Sequence, residues 1–446
     1  MSLDQSFSAG NFRKIFDIEN RKGVFLEGRF FPDTERVIAL IQKYNSELRQ
    51  KRRHRNIYAA RIKALKKGVK HLKKIKEEML MSILQKVSDQ VTGRSYEIKI
   101  KQHLMPGAKS IYTVVNSPSN YFAIKQLQKN MSRLFHVKQS NRFAIVSQVT
   151  TLLEDKFPKF VIRTDINDFY ESISHEYLSD IIHENNLLSP LSKKLIRQIL
   201  NQYKVITGND KGIPRGIGVS AYLAERYMRD IDEKILALKG VTYYARYVDD
   251  IIIIFTPEST EANRNYRTEV EKIIEDKALS LNPTKTEEID LTTSNVPQEL
   301  EYLGYKICFG DGNLKTSLTA KKKNKYKERI DQAISEYNNL SKVDAKGARK
   351  VFVKRIRFLT GNTRLANNKK NILVGIYYSN SHLTELNDLS GLDKYLRHKI
   401  ETEISSFSLK NRLKKYRFKE GFETKRFSPF TPHDLTEIMK IWPSRA

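Results

Sequence analysis

Two short segments hold carboxylates in surroundings that ordinarily reject them. In FVIRTDINDFYESISH, Asp165 closes a run that begins with three apolar residues, and in YARYVDDIIIIF the pair Asp249 and Asp250 leads straight into Ile251–Phe255. An ionised carboxylate among apolar side chains is costly unless a cation compensates it. Divalent metal is the economical counter-charge. Two magnesium ions about 3.5–4 Å apart, with manganese as a substitute, would activate a primer 3′-hydroxyl and steady a departing pyrophosphate. That chemistry is nucleotidyl transfer. An adjacent Asp-Asp pair says little alone, because acids at turns are commonly only solvated, so the elements that carry the pair must be read with it.

Lys159 to Ile166 reads as a strand ending at Asp165. Ser220 to Leu236 reads as a helix with apolar positions Leu223, Ala224, Tyr227, Ile231 and Ile235, and Val241 to Phe255 as two strands joined by a tight turn, which puts Asp249 and Asp250 at a hairpin tip. Residues 100 to 160 mix short strands with helix, including the amphipathic stretch Phe122 to Phe135. The segment before residue 100 is helical in pattern. From Lys51 to Lys76 it carries twelve Lys or Arg and no acid, and Tyr58, Ile62, Leu65, Val69 and Leu72 alternate at spacings of four and three. This predicts one amphipathic helix whose outer face includes Lys66, Lys67, Lys70, Lys73 and Lys74. That face is either an arm tracking phosphates or a solvated surface, and both readings stand. Beyond about residue 320 the chain is basic and helical again, through KKKNKYKERI and ARKVFVKRIRFLTGNTR. No internal repeat, low-complexity tract or Pro-rich linker interrupts it.

A chain of 446 residues predicts several packed lobes, and 39% hydrophobic content predicts folded ones. The 80 Lys and Arg against 51 Asp and Glu give +29, an excess that points to polyanions and above all to nucleic acid. No apolar run is long enough to cross a bilayer, so no membrane partner is expected. The opening MSLDQSFSAG lacks the pattern of an export signal. A single cysteine, Cys308, can form neither an internal disulfide nor a multi-thiolate site, which fits a reducing, cytoplasmic address.

The order of segments is the specific signal: strand-ending Asp165, then KGIPRGIGVSAYLAERYM, then YVDD, then LNPTKTEEID, then EYLGYKI. From Asn141 to Ile307 the chain resembles the reverse transcriptases. The resemblance implies an α+β right-hand polymerase fold: a basic helical N-terminal region (1–100), fingers (101–160), an antiparallel-sheet palm with the catalytic aspartates (161–310) and a helical thumb with the C-terminal region (311–446). It implies that Asp165 and Asp249 ligate metal with the Ile166 carbonyl, and that Asp250 is the third, more dispensable acid of the metal site. Tyr170 takes the place of the aromatic that excludes a ribose 2′-hydroxyl, and Arg142 that of the arginine gripping the incoming triphosphate, with Lys125 a poorer match for assisting it. Arg215 and Gly216 fall in the nucleotide-binding segment, where Arg215 departs from the usual glutamine. Lys285 resembles the lysine suspected of protonating pyrophosphate, and Tyr302, Leu303, Gly304 and Tyr305 the primer grip.

The implied reactants are an RNA template, dNTPs and a DNA product. Within that superfamily, the form IPRG-x-x-x-S-x-x-LA-x-x-YM, the stretch RIRFLTGNTR and the opening DQSFSAGNFRKIF resemble bacterial defence-associated enzymes, the smaller one of the type 3 systems. That resemblance implies a dedicated noncoding RNA, a second reverse transcriptase and an antiviral role, and leaves self-association into a homo-oligomer open. An RNA-dependent RNA polymerase usually carries an acid where Tyr170 stands and Gly before its paired aspartates. The same residues also leave room for template-independent or protein-primed DNA synthesis, and for a catalytically silent RNA-binding scaffold.

Overall fold

The computed structural model describes residues 3–54, 56–105, 108–137, 140–155, 157–257, 264–292, 297–309, 313–365 and 372–442. The chain folds into two compact units. Met1–Lys138, Asp168–Asp232 and Glu275–Leu279 form the first, and Gln139–Asn167, Glu233–Ile274 and Ser280–Ala446 form the second. The architecture is α+β with antiparallel strand pairing, as expected.

The first unit opens with Ser8, whose hydroxyl accepts the Asn11 N–H and starts the helix Ala9–Arg21. That helix buries Phe12, Ile15 and Phe16, and Phe12 meets Phe122 with ring centres 5.3 Å apart. The basic stretch is not one helix. A helix ends at Lys51, a 3₁₀ turn spans Arg52–His54, and a second helix runs Ala59–Thr92. Tyr58 sits at the N-cap, 39% exposed, and so leaves the buried stripe, while Leu72 is only half-buried. Ile62, Leu65 and Val69 do bury their face, against Leu48, Ile41 and Tyr44. A hairpin follows, β1 (Ile100–Met105) paired antiparallel with β2 (Ala108–Val114), and then the helix Pro118–Leu134.

The second unit is built on a sheet of four antiparallel strands in the order β4-β5-β3-β6, with β3 Phe160–Asp165, β4 Val241–Tyr247, β5 Asp250–Phe255 and β6 Glu287–Asp290. Ile251 to Phe255 are at most 2% exposed, so both faces of β5 are buried and the strand reads as an unbroken apolar run. Each such side chain contributes about 1.5–3 kcal/mol by leaving water. One face, with Val161, Ile252, Ile254 and Ile289, joins Ile145, Val146 and Val149 of the helix Arg142–Glu154 in a core that extends into the C-terminal helices. A second sheet, β7 (Gln298–Tyr302), β8 (Tyr305–Phe309) and β9 (Lys315–Leu318), leads into the helices Ala320–Leu340 and Ala345–Thr360. A short hairpin, β10 (Asn362–Arg364) with β11 (Leu373–Gly375), completes the strands. The expected helix at Ser220–Leu236 is present with those ends.

Candidate active site

The register of β3 on β5 sets Asp165 directly opposite Asp250, and β4 closes on the same residue from the other side with Tyr247. Between Tyr247 and Asp250 lie only Val248 and Asp249. Val248 has φ +63, a left-handed conformation that a β-branched residue rarely adopts, and Arg246 holds it there by donating to its carbonyl at 2.8 Å. The Ile166 N–H donates to the Asp249 carbonyl at 3.2 Å, so the strand end and the hairpin tip are tied together. Asp165, Ile166, Asp249 and Asp250 are therefore brought to one place. Burial, and then the charge of Asp165, push the Asp249 carboxyl above its ordinary range. Burial raises Asp250 as well, against the pull of Arg163.

Two cations answer these acids. Lys285 donates to Asp165 Oδ1 at 2.8 Å, which places this expected site residue with the carboxylates. Arg163 donates to Asp250 Oδ1 at 2.9 Å and to the Lys285 carbonyl at 2.9 Å. Sequence reasoning missed Arg163; the available signal was its position two residues before Asp165, on the same face of β3.

The donors are hard oxygens on carboxylates and backbone, the set that suits magnesium or manganese. The carboxylate oxygens of Asp165, Asp249 and Asp250 are not all within 4.8 Å of one another among the described residues. The group that does meet that spacing among the described residues, His433, Asp434 and Glu437, is already paired with Lys354, whose ammonium lies 2.5 Å from Asp434 and 3.1 Å from Glu437.

Tyr302 and Tyr305 close the hairpin of β7 and β8 around Leu303 (φ +46) and Gly304 (φ +76), a two-residue turn with both central residues left-handed. Arg142 secures it, donating to the Leu303 carbonyl through both Nε, at 3.1 Å, and a terminal nitrogen. Its guanidinium lies 5.5 Å from the Tyr305 ring centre, and the ammonium of Lys322, unremarked in the sequence, lies 4.6 Å from the same ring. Tyr302 is buried, and among the described residues its hydroxyl has no hydrogen-bond partner. Arg142 thus belongs with the turn in the second unit.

Tyr170, Arg215 and Gly216 lie in the first unit. Arg215 makes a bidentate contact with Glu171 at 3.1 and 3.0 Å and stacks 5.0 Å from the Tyr170 ring centre. Lys109 completes this group, 2.5 Å from Asp168 and 3.0 Å from Glu171. Neither Glu171 nor Lys109 was singled out by the sequence, although an arginine in a glycine-rich loop calls for an acid nearby. Gly216 has φ +98, and a Cβ there would come within 2.6 Å of Ile111 and 2.8 Å of the Tyr112 carbonyl, so only glycine lets the loop meet β2. Lys125 pairs with Glu19 at 3.0 Å. On the helix Ala59–Thr92, Lys66, Lys67, Lys70, Lys73 and Lys74 are all exposed.

Residues 110–307 match the model of the family described as reverse transcriptase (RNA-dependent DNA polymerase). The match starts ahead of Asn141 and takes in most of β2 and the helix Pro118–Leu134. It holds every acid of the cluster, so this segment is similar to a reverse transcriptase domain. That family's activity is RNA-dependent DNA polymerisation, and such domains generally use divalent metal ions. Solved structures similar to the chain include two telomerases. One is telomerase from Candida albicans in complex with a TWJ fragment of telomeric RNA, at 13% identity and a TM-score of 0.36, over 82% of this chain and 65% of that one. The other is apo telomerase from Candida tropicalis truncated from the C-terminal domain, at 16% identity and a TM-score of 0.35, over 53% of this chain and 60% of that one. The chain therefore spans less than two thirds of either telomerase chain. No curated protein matches it in sequence. Among the described residues no helix is long and apolar enough to cross a membrane.

Proposed function

We propose that this protein copies an RNA template into DNA, adding dNTPs to a primer end at Asp165, Asp249 and the Ile166 carbonyl. The carrying observation is the register that sets Asp165 opposite Asp250 with Asp249 on the adjoining turn, inside the matched segment. Magnesium, or manganese in its place, supplies when bound the positive charge that makes the 3′-hydroxyl nucleophilic and stabilises the leaving pyrophosphate. Asp165 and Asp249 bind that charge and fix where it sits. Lys285, on an exposed loop, is released from Asp165 when the acid is engaged, which frees an ammonium to protonate pyrophosphate. Tyr170 bars the 2′-hydroxyl of a ribonucleotide, and Arg215 and Gly216 shape the loop that faces the nucleotide. The turn Tyr302–Tyr305 presents the primer end. Arg142 braces that turn, and gripping a triphosphate would require it to leave the Leu303 carbonyl. In this reading residues 101–160, 161–310 and 311–446 act as fingers, palm and thumb, and the basic region 1–100 holds the RNA.

The wider setting rests on the resemblance of IPRG, RIRFLTGNTR and DQSFSAGNFRKIF to bacterial defence enzymes: a role in antiviral defence with a dedicated noncoding RNA and a second reverse transcriptase, at the cytoplasmic address that the single Cys308 supports. A second reading, template-independent or protein-primed synthesis, is favoured by one observation, the commitment of Arg215 to Glu171. Labelled-dNTP incorporation with and without RNA template separates the two. The double variant Asp165→Asn/Asp249→Ala is expected to lose incorporation while keeping its circular dichroism spectrum. Full activity in it would remove the catalytic assignment, and sequencing the co-purified RNA and the DNA made identifies the template.

A further inference from the structure

Asp165 and Asp250 face each other across two strands, yet each is held by a different kind of cation. Lys285 reaches Asp165 from a loop, its side chain 49% exposed, through one contact at 2.8 Å. Water competes with such a pair, and an incoming ion displaces it readily. Arg163 is another matter. It stands on β3 between Val161, which is in the core, and Asp165, with its side chain only 13% exposed. Its guanidinium spans Asp250 at 2.9 Å, the Lys285 carbonyl at 2.9 Å and Glu287 at 3.7 Å, so it is anchored on both neighbouring strands and on the loop between Leu281 and β6. Breaking a pair of this kind leaves an uncompensated charge out of water, a far larger penalty than releasing Lys285.

Taking the metal reading above as its basis, we infer that Arg163 is a positioning residue that withholds Asp250 from the metal. Asp165, Asp249 and the Ile166 carbonyl then form the ligand set. Asp250 serves as the fixed partner of Arg163, and Arg163 in turn holds the backbone of Lys285, which keeps that ammonium within reach of Asp165.

The two roles open to Arg163 have opposite consequences. A residue that supports a metal ligand weakens affinity about 10–100-fold when removed, whereas one that withholds a ligand strengthens it. Mn2+ alone, titrated into the full-length protein and followed by the electron paramagnetic resonance signal of the free ion, reads this without any turnover. Arg163→Gln is expected to bind Mn2+ at least about threefold more tightly than wild type, because Asp250 becomes available. Arg163→Gln/Asp250→Asn, which removes the pair without changing net charge, is expected to stay within about threefold of wild type, while Asp249→Asn loses at least about tenfold. Should the amide pair not fold, as judged by its melting curve, Arg163→Met/Asp250→Ala keeps the same charge balance and carries the same expectation. Weaker binding in Arg163→Gln, or a pair-deleted variant as impaired as Asp249→Asn, overturns the inference and leaves the metal reading standing. Wild-type protein that binds Mn2+ no better than Asp249→Asn overturns the metal reading, and this inference with it.

Discussion

Arg215 stands where glutamine is common among the proteins whose motifs this chain resembles, and its guanidinium is both stacked on Tyr170 and gripped by Glu171. A planar cation fixed at one edge by a bidentate carboxylate limits how far the ring beneath it can move. If Tyr170 is the residue that excludes a 2′-hydroxyl, the sharpness of that exclusion depends on how still the ring is held. A clash offers the wrong sugar no low-energy pose, so trimming the ring removes more discrimination than loosening it. Tyr170→Ala is expected to incorporate ribonucleotides at least about tenfold more readily relative to deoxyribonucleotides, equivalent to about 1.4 kcal/mol. Arg215→Gln should shift the same ratio in the same direction but by less, and should add little on top of Tyr170→Ala. Competition between the two nucleotide types in primer extension measures all three proteins. Unchanged selectivity in an active Tyr170→Ala would make the ring a packing residue only. Equal effects of Arg215→Gln with and without Tyr170 would mean that the arginine touches substrate directly.

Strands and turns were the most legible elements. A strand buried on both faces has to be apolar throughout, and a hairpin has to turn within a few residues, so β5 and the Asp249–Asp250 tip could be read from residue types alone. The helix break between Lys51 and Ala59 was not legible, because Tyr58 keeps the apolar phase of Ile62 and Leu65 although it sits exposed at the N-cap. Of the cations around the acids, Lys285 was legible and Arg163 was not. Arg163 meets Asp250 and the Lys285 carbonyl from 87 and 122 residues away, so its role appears only once the strands are in register. Lys322 is the same kind of case. It lies on the helix after β9, and its ammonium faces Tyr305, Arg142 and the Ser379 carbonyl with no carboxylate within 4 Å among the described residues. Burial, and then the charges of Arg142 and Lys325, lower its pKa to about 7 from 10.5. The folded pKa lies below the unfolded one, so between pH 7 and 10.5 the unfolded chain holds more protons, and stability from this group rises with pH across that window. Lys322→Met should therefore be more resistant to urea than wild type near pH 7, with the gap closing toward pH 10. A gap that is constant with pH, or that widens as pH rises, would show that Lys322 is not held deprotonated by its surroundings.

Over the whole molecule the dominant property is charge, +29 on 446 residues, and what that charge does depends on where it is presented. The helix Ala59–Thr92 shows how local packing sorts it. Ile62, Leu65 and Val69 are buried against Leu48, Ile41 and Tyr44, and this turns Lys66, Lys67, Lys70, Lys73 and Lys74 outward. Of these five, Lys74 has a carboxylate within 4 Å, Glu78 at 3.6 Å, and the others have none among the described residues. A row of exposed ammonium groups without internal counter-ions attracts small anions in the free protein, and releasing those ions to solution on meeting a polyanion favours binding at low salt. Two outcomes separate an RNA-holding arm from a solvated face. If the arm lies along the RNA, changing all five lysines to Gln should weaken binding at 0.1 M salt and flatten the plot of log affinity against log salt by roughly 0.7 to 0.9 for every phosphate no longer neutralised. The comparison has to be made on slopes, since lower net charge alone weakens attraction to any polyanion at one salt concentration. Filter binding of a single-stranded RNA across a salt series gives both slopes directly. A variant with the wild-type slope, even at reduced affinity, would show that the helix is a solvated surface and that RNA is held elsewhere on the chain.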